Sequence, residues 1–152
     1  MLQTTKPIRR RSKQESAPAF LDPATIKERF YGLTLKGDCL DPVFKDGVVI
    51  VVDRDGPPEV GCFAVFYYRP ELVPPGFISP AIKRLVTAVP PLKLPYKLAP
   101  DSDCCPIIMV EQLKPAKRWW VSCDHLLAVH RCVGSASDPE VLNMLAAEGW
   151  RI

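Results

Sequence analysis

The sequence predicts a mostly β fold: a single domain of short antiparallel strands, with a short N-terminal helix and a second helix at the C-terminus. Three observations lead there. Residues 48–52 and 62–68 are unbroken apolar runs rich in β-branched and aromatic side chains, each bounded by turn-forming residues. Seventeen prolines in 152 residues argue against long parallel βαβ units. The segments beginning at Asp22 and Ser137 open with helix-capping residues followed by apolar positions at helical spacing. At 47% hydrophobic residues the chain can bury one core and is too short for two ordinary domains.

Residues 1–20 are polar, basic and interrupted by proline, and read as a flexible arm. Asp22-Pro23 then supplies an N-cap and a first helical residue, with Ile26, Arg29 and Phe30 completing a short helix before Gly32. From Leu33 the alternation Leu33-Thr34-Leu35 is strand-like, residues 37–47 are loop-rich, and 48–52 read as a buried strand. Residues 53–58 must turn, so the 62–68 strand is expected to lie antiparallel beside 48–52. Pro70, Pro74, Pro75, Gly76 and Pro80 make a long loop, after which residues 81–86 begin a new strand that contains Lys83. Further strands are expected at 92–98, 107–110 and 119–133. Ser137-Asp138-Pro139-Glu140 has capping-box spacing, Val141, Leu142 and Leu145 form an apolar stripe, and Gly149 is placed to stop the helix. The expected organisation is an arm over 1–20, a β domain over 21–135 and a helical extension over 136–152.

Charge is distributed unevenly. Lys6, Arg9, Arg10, Arg11 and Lys13 against Glu15 place +4 in the first 20 residues, which leaves −1 on the remainder of a chain whose total is +3. Contact with nucleic acid is therefore expected at most through this arm, by phosphate contacts. No apolar stretch approaches the roughly 20 residues of a spanning helix, and no apolar segment follows the basic N-terminus as in a secretory signal. A cytoplasmic bacterial or phage setting without membrane contact is expected. There Cys39, Cys62, Cys104, Cys105, Cys123 and Cys132 read as free thiols. Cys123-x-His125 and His130-x-Cys132 offer four zinc-type ligands. On one continuous strand the first pair would face away from the second, so no metal site is expected unless a bulge intervenes.

The chemistry concentrates around Gly37-Asp38-Cys39-Leu40-Asp41-Pro42, a tight loop that presents one thiol ahead of a Lys45-Asp46-Gly47 turn and the β-branched strand. Next come the strand ending in Val52-Asp53, the turn to Gly61, the strand to Tyr68, and Ile82-Lys83-Arg84-Leu85. This order resembles the S24 peptidase family, the LexA- and UmuD-like proteins with a signal-peptidase-like fold. In that family a G-x-S-M-x-P loop precedes a D-G-D turn and a hydrophobic strand, and the lysine of a V-K-R-L strand is the general base. Cys39 stands at the serine and Lys83 at the lysine. The resemblance runs from Leu33 to about Val133. Leu98-Ala99-Pro100-Asp101 is similar to the family's L-x-P-x-N turn, and Leu126-Leu127-Ala128-Val129-His130-Arg131 to its closing strand. Departures are Leu40 for Met, Val48 where Asp is usual, the missing Asn of the later turn, and the added terminal helix.

The resemblance implies a Cys39 nucleophile activated by Lys83, with backbone N–H groups of the loop holding the oxyanion. Gly37, Asp38, Leu40 and Pro42 are the implied binding residues, and no cofactor or metal is needed. A thiol, ordinarily titrating at about 8.5, tends beside a lysine toward thiolate and ammonium, which strengthens the nucleophile and weakens the lysine as a base. The alternative is an inactive module of the same fold that dimerises and docks a protein or peptide partner. Trp119 and Trp120 are candidate anchors for it, since neighbouring strand residues face opposite ways. A membrane signal peptidase, the third reading, would need an N-terminal anchor. Self-cleaving family members cut Ala-Gly or Cys-Gly bonds, and none of the eight glycines here follows alanine or cysteine. No winged helix-turn-helix fits before residue 33, so the closest likeness is to the stand-alone UmuD-like members of the SOS response, with a homodimer expected.

Overall fold

Residues 2–4, 21–73 and 79–150 are described by a computed structural model. The strands are β1 (Leu2–Thr4), β2 (Phe30–Leu35), β3 (Val49–Asp53), β4 (Phe63–Tyr68), β5 (Ala81–Leu85), β6 (Ile107–Leu113), β7 (Ala116–Ser122) and β8 (Leu126–Ser135). Helix α1 (Pro139–Ala147) closes the described chain. The strands form one sheet in the order β1-β2-β3-β8-β4-β5-β6-β7, with every neighbouring pair antiparallel. The protein is thus mostly β with a C-terminal helix, as the patterning predicts.

Why the longest apolar runs show no alternation is visible in β4. Val65 and Tyr67 enter one buried cluster with Leu33, Leu35, Ile50 and Ile82, while Ala64 and Phe66 enter another with Leu85, Ile108, Val110 and Leu126. A strand buried on both faces has no polar face to alternate with. A third cluster joins Phe30 and Val51 to Val141 and Leu145 of α1, with Trp150 packed edge-on against Phe30. The terminal helix therefore shares a core with the sheet. Gly134 permits this approach, because a Cβ there would lie 2.8 Å from Val141 Cγ2.

Several expectations are corrected. β3 and β4 are not partners: β8, ten residues long, lies between them and pairs with both. Its Leu126, His130 and Cys132 are buried, so the central position is where its side chains find cover. The segment 119–133 is two strands, broken by a 3-10 turn at Cys123–His125. Residues 92–98 form no strand, since Pro90, Pro91 and Pro95 lack the N–H a ladder requires. Asp22 does cap its neighbour, accepting from Ala24 N at 3.0 Å, but only a single 3-10 turn, Pro23–Thr25, follows. Phe30 and Tyr31 leave the helical path because pairing opposite Asp53 and Val52 buries their rings. At α1 the N-cap is Asp138, with Pro139 next, because Ser137 bonds back to Ser135 at 2.7 Å. Leu142 lies on the exposed side of the helix. Of the proposed arm, Leu2–Thr4 forms edge strand β1 along Leu33–Leu35, and residues 5–20 lie outside the described residues.

Candidate functional site

The Cys39 loop is the tip of the β2–β3 hairpin, and its base is clamped by the backbone. Gly47 N–H donates to Leu35 O at 2.7 Å and Leu35 N–H to Val48 O at 2.8 Å. Gly37 has φ +95°, a left-handed conformation that favours glycine, and its N–H donates to Asp46 Oδ1 at 2.7 Å. Turn bonds from Asp41 N to Asp38 O and from Phe44 N to Leu40 O, at 3.0 and 3.1 Å, then curl the chain around Leu40. Leu40 is 0% exposed and sits among Leu33, Leu35 and Tyr67. That anchor leaves the preceding residue, Cys39, half-buried at the core's margin.

From here the hairpin tip reaches strands far from it in the sheet order. Cys39 O accepts from Leu113 N at 2.8 Å and from Lys114 N at 3.0 Å, at the turn that joins β6 to β7. Lys114 Nζ lies 3.4 Å from Asp38 and 3.8 Å from Asp41, a second and exposed tie between the same segments. The sheet must coil for these contacts to form, since β8, β4 and β5 lie between β3 and β6.

Lys83 comes from the middle of β5, opposite Ala64 of β4. Its Nζ donates toward Cys39 Sγ at 3.6 Å and toward Gln112 Oε1 at 3.4 Å, and lies 5.6 Å from the centre of the Trp119 ring. Lys117 Nζ approaches the same ring at 5.8 Å. Among the described residues no carboxylate reaches Lys83 within ion-pair distance; the nearby Asp38 and Asp41 are engaged with Lys114 and Lys45. The lysine therefore faces a thiol, an amide oxygen and an indole.

The structure thus brings together the two residues singled out for chemistry, Cys39 and Lys83, across 44 positions of chain. Gly37, Asp38 and Pro42 are exposed on the same loop. Leu40 is a correction: as a fully buried core residue it anchors the loop and offers no surface to a ligand. Gln112 escaped the sequence reading, because its contact depends on the register of β5 against β6; the one available signal was a polar pair, Glu111-Gln112, ending the apolar strand Ile107–Leu113. Trp119 and Trp120 do face opposite ways, with Trp119 half-buried over the lysines and Trp120 55% exposed.

The zinc-type residues are dispersed. Cys123 is in the cluster with Ile108 and Leu126, whereas Cys132 is in the cluster with Tyr31 and Tyr67, and His130 Nδ1 bonds to Tyr31 Oη at 2.7 Å. Burial pushes the Cys132 thiol up to about 12 and raises that of Cys123, so both are held protonated. No helix among the described residues is long and apolar enough to cross a membrane. Comparison of the chain with protein-family models, curated proteins and solved structures gives no significant match.

Proposed function

We propose that the protein is a peptidase of the S24-like kind working through a Cys39–Lys83 dyad. The observation that supports this is the approach of Lys83 Nζ to Cys39 Sγ at 3.6 Å with no competing carboxylate among the described residues. A nucleophile and a base within reach of each other are what a two-residue dyad requires. In the proposed cycle Lys83 takes the Cys39 proton and Sγ adds to the carbonyl carbon of a peptide bond. Loop N–H groups steady the resulting oxyanion. The C–N bond then breaks as the leaving amine takes the proton from the Lys83 ammonium. A water loses its proton to Lys83 and attacks the thioester, releasing the acid and regenerating the thiolate; a final proton shift restores the starting pair.

The test uses Cys39 itself as reporter before any substrate is known. Iodoacetamide alkylation, mapped by peptide mass spectrometry across pH, should show Cys39 reacting faster at neutral pH than Cys123 or Cys132, and slowing in Lys83→Ala. A peptide library should then yield cleavage that is lost in Cys39→Ala. If wild type and Cys39→Ala process every peptide or partner alike, the enzymatic reading fails.

A second reading is supported by the exposed apolar side chains of β6 and β7. Ile107 is 49% and Trp120 55% exposed, and Trp120 pairs opposite Met109, so all three share one face. This face suits a homodimer or a protein partner of a non-catalytic module. Sedimentation showing a monomer at all concentrations, with no partner recovered, would remove that reading.

A further inference from the structure

Three consecutive residues, the last two of β6 and the first of the turn after it, together contact both members of the dyad. Leu113 and Lys114 donate their backbone N–H groups to Cys39 O at 2.8 and 3.0 Å. Immediately before them, Gln112 Oε1 accepts from Lys83 Nζ at 3.4 Å while its Nε2 donates to Pro115 O at 3.1 Å. The second bond settles the orientation of the amide: a proline carbonyl can only accept, so the nitrogen must face it and the oxygen must face the lysine. Trp119, opposite Val110 in the register, adds an indole face whose centre lies 5.6 Å from Lys83 Nζ.

We propose that Gln112 is a positioning residue for Lys83, fixing its ammonium toward Cys39, and that the Gln112-Leu113-Lys114 segment sets the spacing of the pair. This rests on the dyad reading above. A lysine side chain has a long flexible stem and makes no demand on direction by itself. A neutral acceptor orients the ammonium without discharging it, whereas a carboxylate at the same place would capture the charge and leave less of it for the thiol. The other charged groups around the corner are Lys114 and Lys45, bound to Asp38 and Asp41, and Lys117 over Trp119; Arg84, next in β5, is bound by Glu111. None of them duplicates the amide's contact with Lys83.

The experiment follows Cys39 alkylation across pH in the full chain, comparing wild type with Gln112→Leu, Gln112→Met, Gln112→Glu and Lys83→Ala, and records thermal unfolding of each. Both apolar variants should react about three- to tenfold more slowly near neutral pH, the scale of one ordinary hydrogen bond lost, with the profile displaced to higher pH. Gln112→Glu should be slower still. Unfolding midpoints should stay close to wild type, because Gln112 is half-buried and its variants expose no core. A purely structural role would move the midpoint and leave the profile in place, which overturns the inference. A wild-type profile in Gln112→Leu or Gln112→Met, with Lys83→Ala slowed, sinks this inference and leaves the dyad standing. A wild-type profile in Lys83→Ala as well sinks both.

Discussion

Two clusters of titratable side chains lie within this sheet, and burial sets them apart. In the closed one, Tyr31 Oη is 2.5 Å from Tyr67 Oη and 2.7 Å from His130 Nδ1, and all three residues are buried. Burial pulls His130 down to about 4 and raises both tyrosines above their usual range, so near neutral pH the group is an uncharged network. With Tyr67 donating to Tyr31 and Tyr31 to Nδ1, each hydroxyl proton has an acceptor, and the cluster acts as polar mortar between β2, β4 and β8. In the open one, Cys39 and Lys83 are half-buried, their contact is longer, and a loop tip and a strand from the other half of the sheet supply the two members. A nucleophile is usable only where a substrate can reach it, and the buried Cys132 and His130 are out of reach.

The difference can be tested residue by residue. The largest effect is expected at the join of the two regions: Leu40→Ala should cost about 3 to 4 kcal/mol in denaturant unfolding, because Leu40 is wholly buried. The neighbouring Cys39→Ala should cost about 1 kcal/mol or less. Equal losses would mean that the loop is not anchored as described.

Acid should act on the closed cluster next. His130 titrates at about 4 when folded against 6.5 ordinarily, so the unfolded chain binds the extra proton first. The corresponding stability is complete above the unfolded value and is lost as pH falls through the folded one, amounting to about 3 kcal/mol. Urea midpoints should therefore fall from about pH 6.5 down toward pH 4 in wild type, and this part of the slope should vanish in His130→Phe. A slope that persists in the variant would place the acid sensitivity elsewhere.

Tyr67→Phe should cost about 1 kcal/mol, one hydrogen bond, since Tyr31 keeps His130 as partner. A much larger loss would show that the three groups act as one cooperative network. Smallest of all, Trp120→Ser should change stability by about 0.5 kcal/mol or less. A change in sedimentation without a change in stability would identify its exposed face as a partner surface.

Much of this architecture was legible in the residues. The β-branched run became β3, the aromatic run β4, Lys83 lay within β5, and the apolar stripe before Gly149 became α1, although its cap is Asp138 and not Ser137. Local chemistry decides such matters: turn residues, prolines and capping side chains act on their immediate neighbours. Where local signals misled, a distant partner overrode them. Asp22-Pro23 opened only a single 3-10 turn in place of the expected helix, and Phe30 and Tyr31 were claimed by the sheet. The apolar segment 62–68 looked like the partner of 48–52, yet β8, which begins only at Leu126, fits between them.

By itself, then, the sequence determined the fold class, most strand positions and the terminal helix, because each depends on side-chain type and short-range spacing, whereas Cys39 and Lys83 were singled out only by a resemblance in the order of motifs. Tertiary structure alone decided that β8 is central, that Leu40 belongs to the core, and that Gln112 and Trp119 flank Lys83. Those outcomes depend on strand order, register and the coiling that carries the β2–β3 tip to the end of β6. They are set by which apolar faces bury one another across the whole chain, a condition no local window of residues contains.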